Sequence, residues 1–411
     1  MANGGSIDTI IVGGGLVGQT LALALEAHGL RVAIIERADP DSHLAANFDG
    51  RASAIASSSA RMLTVLGLGG LLEEEGCSIR AIRVTEGLRP GGVHFEPAEA
   101  GDDSPLGIMV ENRLIRRVLL ERVRASQAID FHAPARITSV ERGRAGVRVQ
   151  LEDGAALTAP VLVAADGRRS RMREEAGIRV ARWQYPASGI VTMMAHEKPH
   201  GFVASEIFYP TGPFAILPMT DLADGRHRSA LVWTVPAKDA SGIVKLPPRA
   251  LAAEARQRMG NMLGKIELIA PAEAWPLGFH HAERYRAERT ILVGDAAHGI
   301  HPIAGQGLNL GWRDVAALAQ VLAESARLGL DLGDPQVGAR YERWRRLDNA
   351  MVAAATDWLA RLFAVPGRPA AAVRHLGLRI VEHTPPLKRL FMSEARGESG
   401  DLPALLRGEL A

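Results

Sequence analysis

A glycine-rich turn near the start of the sequence is its clearest chemical signal. Gly13-Gly14-Gly15-Leu16-Val17-Gly18 follows the apolar stretch Asp8 to Val12 and leads into a segment with helical spacing. A backbone without Cβ atoms can approach a pyrophosphate closely, and the N-terminus of a helix carries partial positive charge. In this context the pattern GxGxxG predicts a dinucleotide site, in which Gly13 permits the tight turn, Gly15 the close approach and Gly18 the packing of helix against strand.

A carboxylate follows at the spacing along the sequence that is typical of a ribose-binding residue. Glu36 ends a second apolar stretch, Val32 to Glu36, and lies 23 residues after Gly13. A carboxylate at this place accepts hydrogen bonds from the ribose diol of FAD or NAD and disfavours the 2′-phosphate of NADP. The glycine pattern alone does not separate FAD from NAD.

Two strand-ending turns and one glycine-rich loop narrow that choice. Ala165-Asp166-Gly167 and Gly294-Asp295 each follow an apolar stretch, and either alone is typical of an ordinary turn. The loop His301 to Asn309 (HPIAGQGLN) has glycines that let a backbone approach a flat group, and a helix begins where they end. The positive end of that helix would stabilise negative charge at N1 and C2=O of a reduced flavin. The three segments, in this order after the first motif, favour FAD.

These motifs need a sheet to position them. Strand, glycine turn, helix and strand within about thirty residues form a βαβ unit, and its continuously apolar strands predict a parallel sheet covered on both faces. From about Ser188 to Val235, short β-like runs separated by Gly, Pro and Asp indicate a mainly antiparallel second domain. After Asn309 the spacing is mostly helical.

The predicted fold class is therefore α/β, with a Rossmann-type FAD-binding domain built on a parallel sheet, a β-rich substrate domain and C-terminal helices. We predict that residues 1–180 and 278–335 form the two parts of the FAD-binding domain. Residues 181–277 then form the substrate domain, and residues 336–411 form the C-terminal helical region.

Composition excludes several other classes of protein. The 411 residues include 48 Lys and Arg against 46 Asp and Glu, a net charge of +2, and 47% are hydrophobic. This balance is typical of a globular chain and argues against a disordered, fibrous or nucleic-acid-coating protein. The single cysteine, Cys77, excludes an internal disulfide and a CxxC metal site, and the sequence contains neither HExxH nor GxxxxGK. We expect no bound metal, no secretory signal and no membrane span.

The C-terminal segment departs from this neutrality. Between Arg361 and Arg396, seven basic residues stand against two acidic ones, and apolar residues lie among them. Two interpretations stay open. A basic amphipathic terminus would contact an anionic membrane surface or a partner protein, whereas helices packed on the body would simply have a solvated basic face.

The motifs together resemble a known family. The glycine turn with Glu36, the two strand-ending turns and their order resemble the group A flavoprotein monooxygenases of the p-hydroxybenzoate hydroxylase fold. The run His301 to Asp314 (HPIAGQGLNLGWRD) is similar to the signature of the UbiH/UbiF/VisC-type ubiquinone-biosynthesis hydroxylases, as are Asp49 to Ile55 and Glu111 to Leu114. The resemblance extends to about residue 395 and is weakest over residues 181–277.

The resemblance implies the cofactor contacts by position. The first glycine turn would hold the FAD pyrophosphate and Glu36 the adenosine ribose. Asp295 would bind the ribitol chain, and Pro302 with Gly305 to Asn309 would line the isoalloxazine ring. The full set of implied FAD-contacting positions is Gly13, Gly15, Leu16, Val17, Gly18, Glu36, Arg37, Arg51, Arg113, Asp166, Gly167, Asp295, Pro302, Gly305, Gln306, Gly307, Leu308 and Asn309.

Four members of that set have less direct roles. Arg51 would lie near the flavin or the pyrophosphate, and Arg113 near the ribose or the phosphates. For either arginine the alternative is a solvated surface charge. Asp166 and Gly167 resemble the element that the family associates with FAD and NAD(P)H.

The function that the resemblance implies is FAD-dependent aromatic hydroxylation. The substrate would be a polyprenyl phenol intermediate of ubiquinone biosynthesis, hydroxylated through a flavin C4a-hydroperoxide with O2 and with NAD(P)H as electron donor. No catalytic side chain and no nucleic-acid partner follow from it. Other quinone-biosynthesis proteins are expected partners, and the expected location is the cytoplasm, with peripheral contact at the inner face of the cytoplasmic membrane. Two alternatives stay open: an FAD monooxygenase of a small soluble aromatic compound, and a non-catalytic scaffold that binds FAD or lipid.

Overall fold

A computed structural model describes residues 6–45, 50–100, 103–300, 305–365 and 368–410. The strands are β1 (Thr9–Val12), β2 (Val32–Ile35), β3 (Ala52–Ala56), β4 (Cys77–Ile79), β5 (Ala81–Glu86), β6 (Val93–Phe95), β7 (Gly107–Glu111), β8 (Ile129–His132), β9 (Ile137–Gly143), β10 (Gly146–Leu151), β11 (Ala156–Ala159), β12 (Val161–Ala164), β13 (Val180–His196), β14 (Val203–Tyr209), β15 (Gly212–Met219), β16 (His227–Pro236), β17 (Ile266–Leu268), β18 (Glu273–Ala282), β19 (Arg286–Ala287), β20 (Thr290–Leu292) and β21 (His298–Gly299). The helices are α1 (Leu16–Ala27), α2 (Ser57–Leu63), α3 (Gly69–Glu74), α4 (Asn112–Ala125), α5 (Arg171–Glu175), α6 (Ala237–Val244), α7 (Pro248–Met259), α8 (Gln306–Arg327), α9 (Pro335–Ala364), α10 (Arg368–Glu382), α11 (Pro385–Ala395) and α12 (Ala404–Arg407).

A six-stranded sheet carries the glycine-rich turn. Its strand order is β19-β20-β12-β1-β2-β8, and every pair is parallel except β19 with β20. All residues of β1, β2 and β12 are buried, as expected for apolar strands in a sheet that is covered on both faces. Helices α1 and α8 pack against each other, and the indole N–H of Trp312 donates to the Thr20 hydroxyl at 3.1 Å. The predicted parallel sheet is therefore present.

A nine-stranded sheet forms the second layer of the molecule. Its order is β21-β18-β13-β16-β15-β14-β5-β6, with β17 paired beside β13. All its pairs are antiparallel except β14 with β5. The sheet extends beyond the predicted limits of residues 181–277, because β5, β6 and β21 join it from other parts of the chain.

Helices dominate the chain after the last strand. The fold class predicted from the sequence, a parallel sheet with a β-rich second part and C-terminal helices, is confirmed. One boundary differs: α8 begins at Gln306 and thus includes Gly307 and Asn309, which the sequence placed in the loop. Gly305, in the left-handed region at φ +63°, ends the loop and allows the helix to start there.

Three basic residues of the C-terminal segment are packed into the body. Arg374 bonds Glu86 at 2.7 Å, and Lys388 bonds Glu99 at 2.7 Å. Arg396 donates to the carbonyl of Ser104 at 2.9 Å. These three basic side chains are buried, so part of the local charge surplus is neutralised inside the protein. None of the helices described is both long enough and apolar enough to cross a bilayer.

Candidate active site

The glycine turn between β1 and α1 needs glycine at two positions for internal reasons. Gly13 has φ +112°, and a Cβ atom there would lie 2.3 Å from the carbonyl oxygen of Ala165. A Cβ on Gly18 would lie 1.9 Å from the carbonyl oxygen of Gly13. Both positions therefore hold the turn tightly against the neighbouring loop and helix.

Gly15 differs, because the protein does not require glycine there. It precedes the first residue of α1 with φ −78°, and a Cβ built on it would meet no protein atom within 4 Å. The open space beside it belongs to a large cavity. The missing side chain thus leaves room for a group at the N-terminus of α1, where partial positive charge favours an anion.

Glu36 holds the turn in shape. Its carboxylate accepts from the backbone N–H of Gly14 at 2.7 Å and from that of Ala38 at 2.8 Å, one bond on each oxygen. Each carboxylate oxygen has a further lone pair, so these bonds are compatible with a ribose contact. The adjacent Arg37 is exposed, and neither side chain lines the cavity.

A single cavity of about 2150 Å³ joins the glycine turn to the nine-stranded sheet. Many of the predicted cofactor positions line it. These are Gly15, Leu16, Val17, Arg51, Gly167, Asp295, Gly305, Gln306, Gly307, Leu308 and Asn309. The predicted positions that are described but do not line it are Gly13, Gly18, Glu36, Arg37, Arg113 and Asp166. Pro302 lies outside the described residues.

The N-terminus of α8 is fixed beside this cavity by Asn309. The side-chain oxygen of Asn309 accepts from the N–H of Ala56 at 2.9 Å, and its amide donates to the carbonyl of Ala54 at 2.8 Å. These two bonds tie the first turn of a 22-residue helix to β3. The positive end of that helix therefore borders the cavity in a fixed place.

The two arginines singled out by the sequence occupy different environments. The Arg51 guanidinium lies 4.5 Å from the centroid of the Trp275 ring and lines the cavity. Arg113 is partly exposed, lies 4.0 Å from the Glu111 carboxylate and does not line the cavity. Arg116, one helical turn further along α4, does line it.

The two strand-ending aspartates also differ. Asp166 accepts from the N–H of Met172 at 3.1 Å, and burial raises the pKa of its carboxyl. Its second oxygen is buried without a partner among the described residues. Asp295 is half-exposed at the cavity wall, 3.7 Å from the Arg168 guanidinium. The structure thus brings Gly167 and Asp295 to the same cavity.

A buried polar cluster supports the turn at Gly294 and was not foreseen from the sequence. The Asp314 carboxylate accepts from the N–H of Gly294 at 3.0 Å and bonds the His298 ring at 2.6 Å. Its other oxygen accepts from Arg345 at 2.9 Å and from Asn349 at 3.0 Å. All four side chains are buried, so the cluster fixes the position of the strand-ending turn. Spacing along the chain gives no signal for these contacts, since Arg345 and Asn349 lie on α9.

Comparison with known proteins identifies the nucleotide. The family described as FAD binding domain matches residues 6–347. Over 404 residues the chain is 46% identical to the ubiquinone hydroxylase UbiL of Rhodospirillum rubrum, a match that covers 98% of this chain and 92% of that protein. The chain belongs to the FAD-dependent monooxygenase family that includes the ubiquinone hydroxylases.

One further relative and one solved structure are also similar to this chain over most of its length. This monooxygenase is 34% identical to the 3-demethoxyubiquinol 3-hydroxylase of Escherichia coli, over 94% of its own length and 97% of that protein. Among solved structures, p-nitrophenol 4-monooxygenase PnpA from Pseudomonas putida DLL-E4 has a TM-score of 0.78 at 18% identity, over 97% of this chain and 99% of that one. At that identity the second likeness shows the fold alone.

The monooxygenase offers a cradle that fits FAD. The N-termini of α1 and α8 both border one cavity, and the open position at Gly15 lets a phosphate reach the backbone. FAD supplies the redox chemistry and the reaction with O2, while the protein supplies binding, orientation and exclusion of water. Within the described ranges no three His, Cys, Asp or Glu side chains are grouped to hold a metal ion.

Proposed function

We propose that this monooxygenase hydroxylates the aromatic ring of a polyprenyl phenol intermediate of ubiquinone biosynthesis, with NAD(P)H as the electron donor. One observation carries the proposal: the cavity does not end at the cofactor cradle. It continues along the nine-stranded sheet to helices α10 and α11, where Leu378, Val381 and Leu387 line it. A long apolar wall suits a ring with a prenyl tail better than a small soluble phenol. The names of the curated relatives support the same substrate class.

In this proposal a different motif of the chain binds each part of the cofactor. The turn at Gly15 and the N-terminus of α1 bind the pyrophosphate, and Glu36 binds the adenosine ribose. Asp295 binds the ribitol chain, while Gly305 and the first turn of α8 lie along the isoalloxazine ring. The apolar walls exclude water from the reacting groups, which favours transfer of oxygen to the substrate over side reactions.

A deletion strain tests the substrate directly. We expect mass spectrometry of its lipid extract to show accumulation of a prenylated quinone precursor that lacks at least one ring oxygen. A plasmid copy of the wild-type chain should restore the mature quinone. An unchanged quinone profile together with lost growth on an aromatic compound would instead support the small-phenol alternative. Tight FAD binding without substrate-dependent oxygen consumption would support the scaffold alternative.

The mouth of the cavity gives a reason for peripheral membrane contact, which we propose as part of this function. Ile380, Leu390 and Phe391 line the cavity and are also about half exposed, at 50%, 60% and 48%. Exposed Arg379 and Arg389 lie beside them. An apolar patch with flanking arginines favours an anionic bilayer, from whose inner face a prenylated substrate would enter.

Vesicle binding tests that contact. Full burial of an apolar side chain is worth about 1.5–3 kcal/mol, and the Ile380 and Leu390 side chains are about half exposed. The double variant I380S/L390S should therefore bind phosphatidylglycerol-containing vesicles at least about tenfold more weakly in co-sedimentation. Leu328→Ser provides a matched control, because Leu328 is 74% exposed but lies after α8, away from the mouth. Equal binding by the wild type and the double variant would contradict membrane contact through this surface.

A further inference from the structure

Glu206 is a carboxyl group in an apolar wall of the cavity. It lies on β14, paired with Val84 of β5 on one side and with Ala215 of β15 on the other. The transverse row of paired residues across the sheet is Val93, Val84, Glu206, Ala215, Val232 and Val191. All six line the cavity, and five of them are apolar. Because side chains alternate between the two faces of a strand, Ala204 and Phe208 share this face with Glu206 and also line the cavity.

Within the described parts of the chain, the Glu206 carboxyl makes no hydrogen bond or ion pair. Burial raises its pKa to about 7, and burial is the sole cause of that rise. An unpaired carboxyl in apolar surroundings costs stability, which a purely structural residue would avoid. An apolar pocket with one convergent polar group is the usual arrangement for orienting a ligand.

Two charged side chains that nearby helices bring to the cavity are engaged elsewhere. Arg374 of α10, which lines the cavity, bonds Glu86 of β5 at 2.7 Å. Asp348 of α9, which also lines it, pairs with Arg313 at 3.1 Å. Strand β15 contributes no charged side chain. The free hydrogen-bonding capacity of Glu206 therefore points to a ligand in the cavity.

We infer that Glu206 binds the substrate, with its carboxylate accepting a hydrogen bond from the phenol hydroxyl and so distinguishing a phenol from the matching ether. The inference rests on the proposed function, since it takes a prenylated phenol as the substrate. A phenol is the simplest ring donor that complements a carboxylate, and an O–H···O⁻ bond is about twice as strong as a neutral one. A site built around such a bond rejects an analogue that lacks the hydroxyl, because its carboxylate is then left buried and unpaired.

Binding of two probes tests this role. We would titrate the FAD-loaded enzyme with 2-geranylphenol and with 2-geranylanisole and follow the perturbation of flavin absorbance. The wild type should bind the phenol about tenfold more tightly than the ether at pH 8, and the preference should shrink as the pH falls through about 7 and the carboxyl takes up a proton. Glu206→Gln should reduce the preference and remove its dependence on pH, and Glu206→Leu should abolish it.

Glu273→Gln is the matched control. Glu273 lies on β18 of the same sheet but does not line the cavity, so this variant should keep the full preference. Unchanged preference in both Glu206 variants would overturn the inference even if the enzyme hydroxylates its substrate. A wild type that shows no preference for the phenol would overturn it as well. Failure of the proposed function would be seen separately, as an unchanged quinone profile in the deletion strain.

Discussion

Replacement of Asp314 by alanine is expected to lower the free energy of unfolding by about 3–5 kcal/mol, as when one partner of a buried ion pair is removed. Asp314 is fully buried and Arg345 is 2% exposed, so the variant would leave a guanidinium inside the protein without its principal counter-charge. The N–H of Gly294 and the His298 ring would lose their acceptor as well. Because Gly294 begins the turn that carries Asp295, we also expect a lower FAD content.

The contribution of Asp314 to stability should depend on pH, because it requires the ionised carboxylate. Burial alone would raise its pKa, but the interactions with His298, Arg345 and Asn349 outweigh burial and hold the pKa well below its usual range. A carboxyl whose pKa is lowered by folding contributes stability above its unfolded-state pKa of about 4, and loses that contribution as the pH falls towards the lower folded-state value. The difference in stability between wild type and Asp314→Asn should therefore be full near neutral pH and should narrow below about pH 4.

Urea unfolding followed by tryptophan fluorescence measures the effect. Asp224→Ala is a suitable control, because Asp224 also pairs with an arginine, Arg226 at 2.8 Å, but on the surface. Exposed pairs contribute about 0–1 kcal/mol, so this control should unfold almost like the wild type. A loss of less than about 1 kcal/mol in Asp314→Ala would show that the cluster does not anchor the turn.

The parts of this protein that could be predicted from the sequence are those fixed by local pattern. The first βαβ unit is an example: the segment with helical spacing after the glycine turn is α1, over Leu16–Ala27. Continuous apolar strands, glycines that forbid a Cβ and a carboxylate at the end of β2 are all visible within some thirty residues. The start of α8 was predicted too far along the chain. Glycine at position 307 indicates a loop, whereas in the structure the loop ends at Gly305 and Gly307 is already helical.

The parts that could not be predicted depend on partners distant in sequence. The charge count of the C-terminal segment does not show which of its basic residues are exposed. In the structure Arg374 and Lys388 are neutralised by Glu86 and Glu99, nearly 300 residues earlier. In the sequence, Glu206 is simply one residue of a short β-like run. Only the pairing of β14 with β5 and β15 shows that its neighbours across the sheet are apolar. Charge counts and periodicity describe one segment at a time, whereas these sites form between segments.

Replacement of Gly15 by alanine is expected to weaken FAD binding by about a hundredfold or more while leaving the fold intact. A methyl group on Gly15 would meet no protein atom within 4 Å, and φ −78° suits alanine. As the residue before the first turn of α1, alanine in place of glycine costs at most about 1 kcal/mol. The same methyl group would, however, fill the space through which we propose that the pyrophosphate reaches the backbone N–H groups of α1. Steric overlap and lost bonds to a charged phosphate both reduce affinity.

Two companion variants separate the role of Gly15 from the internal requirements of the turn. Gly13→Ala should lose both FAD and stability, since its Cβ would lie 2.3 Å from the Ala165 carbonyl oxygen at φ +112°. Gly242→Ala, within α6 and with open space around its Cβ, should keep both. FAD affinity is measured by quenching of flavin fluorescence, and stability by thermal unfolding of the apoprotein. If Gly15→Ala binds FAD within about threefold of the wild type, the pyrophosphate does not approach the turn there, because a close approach to the backbone cannot accommodate a side chain.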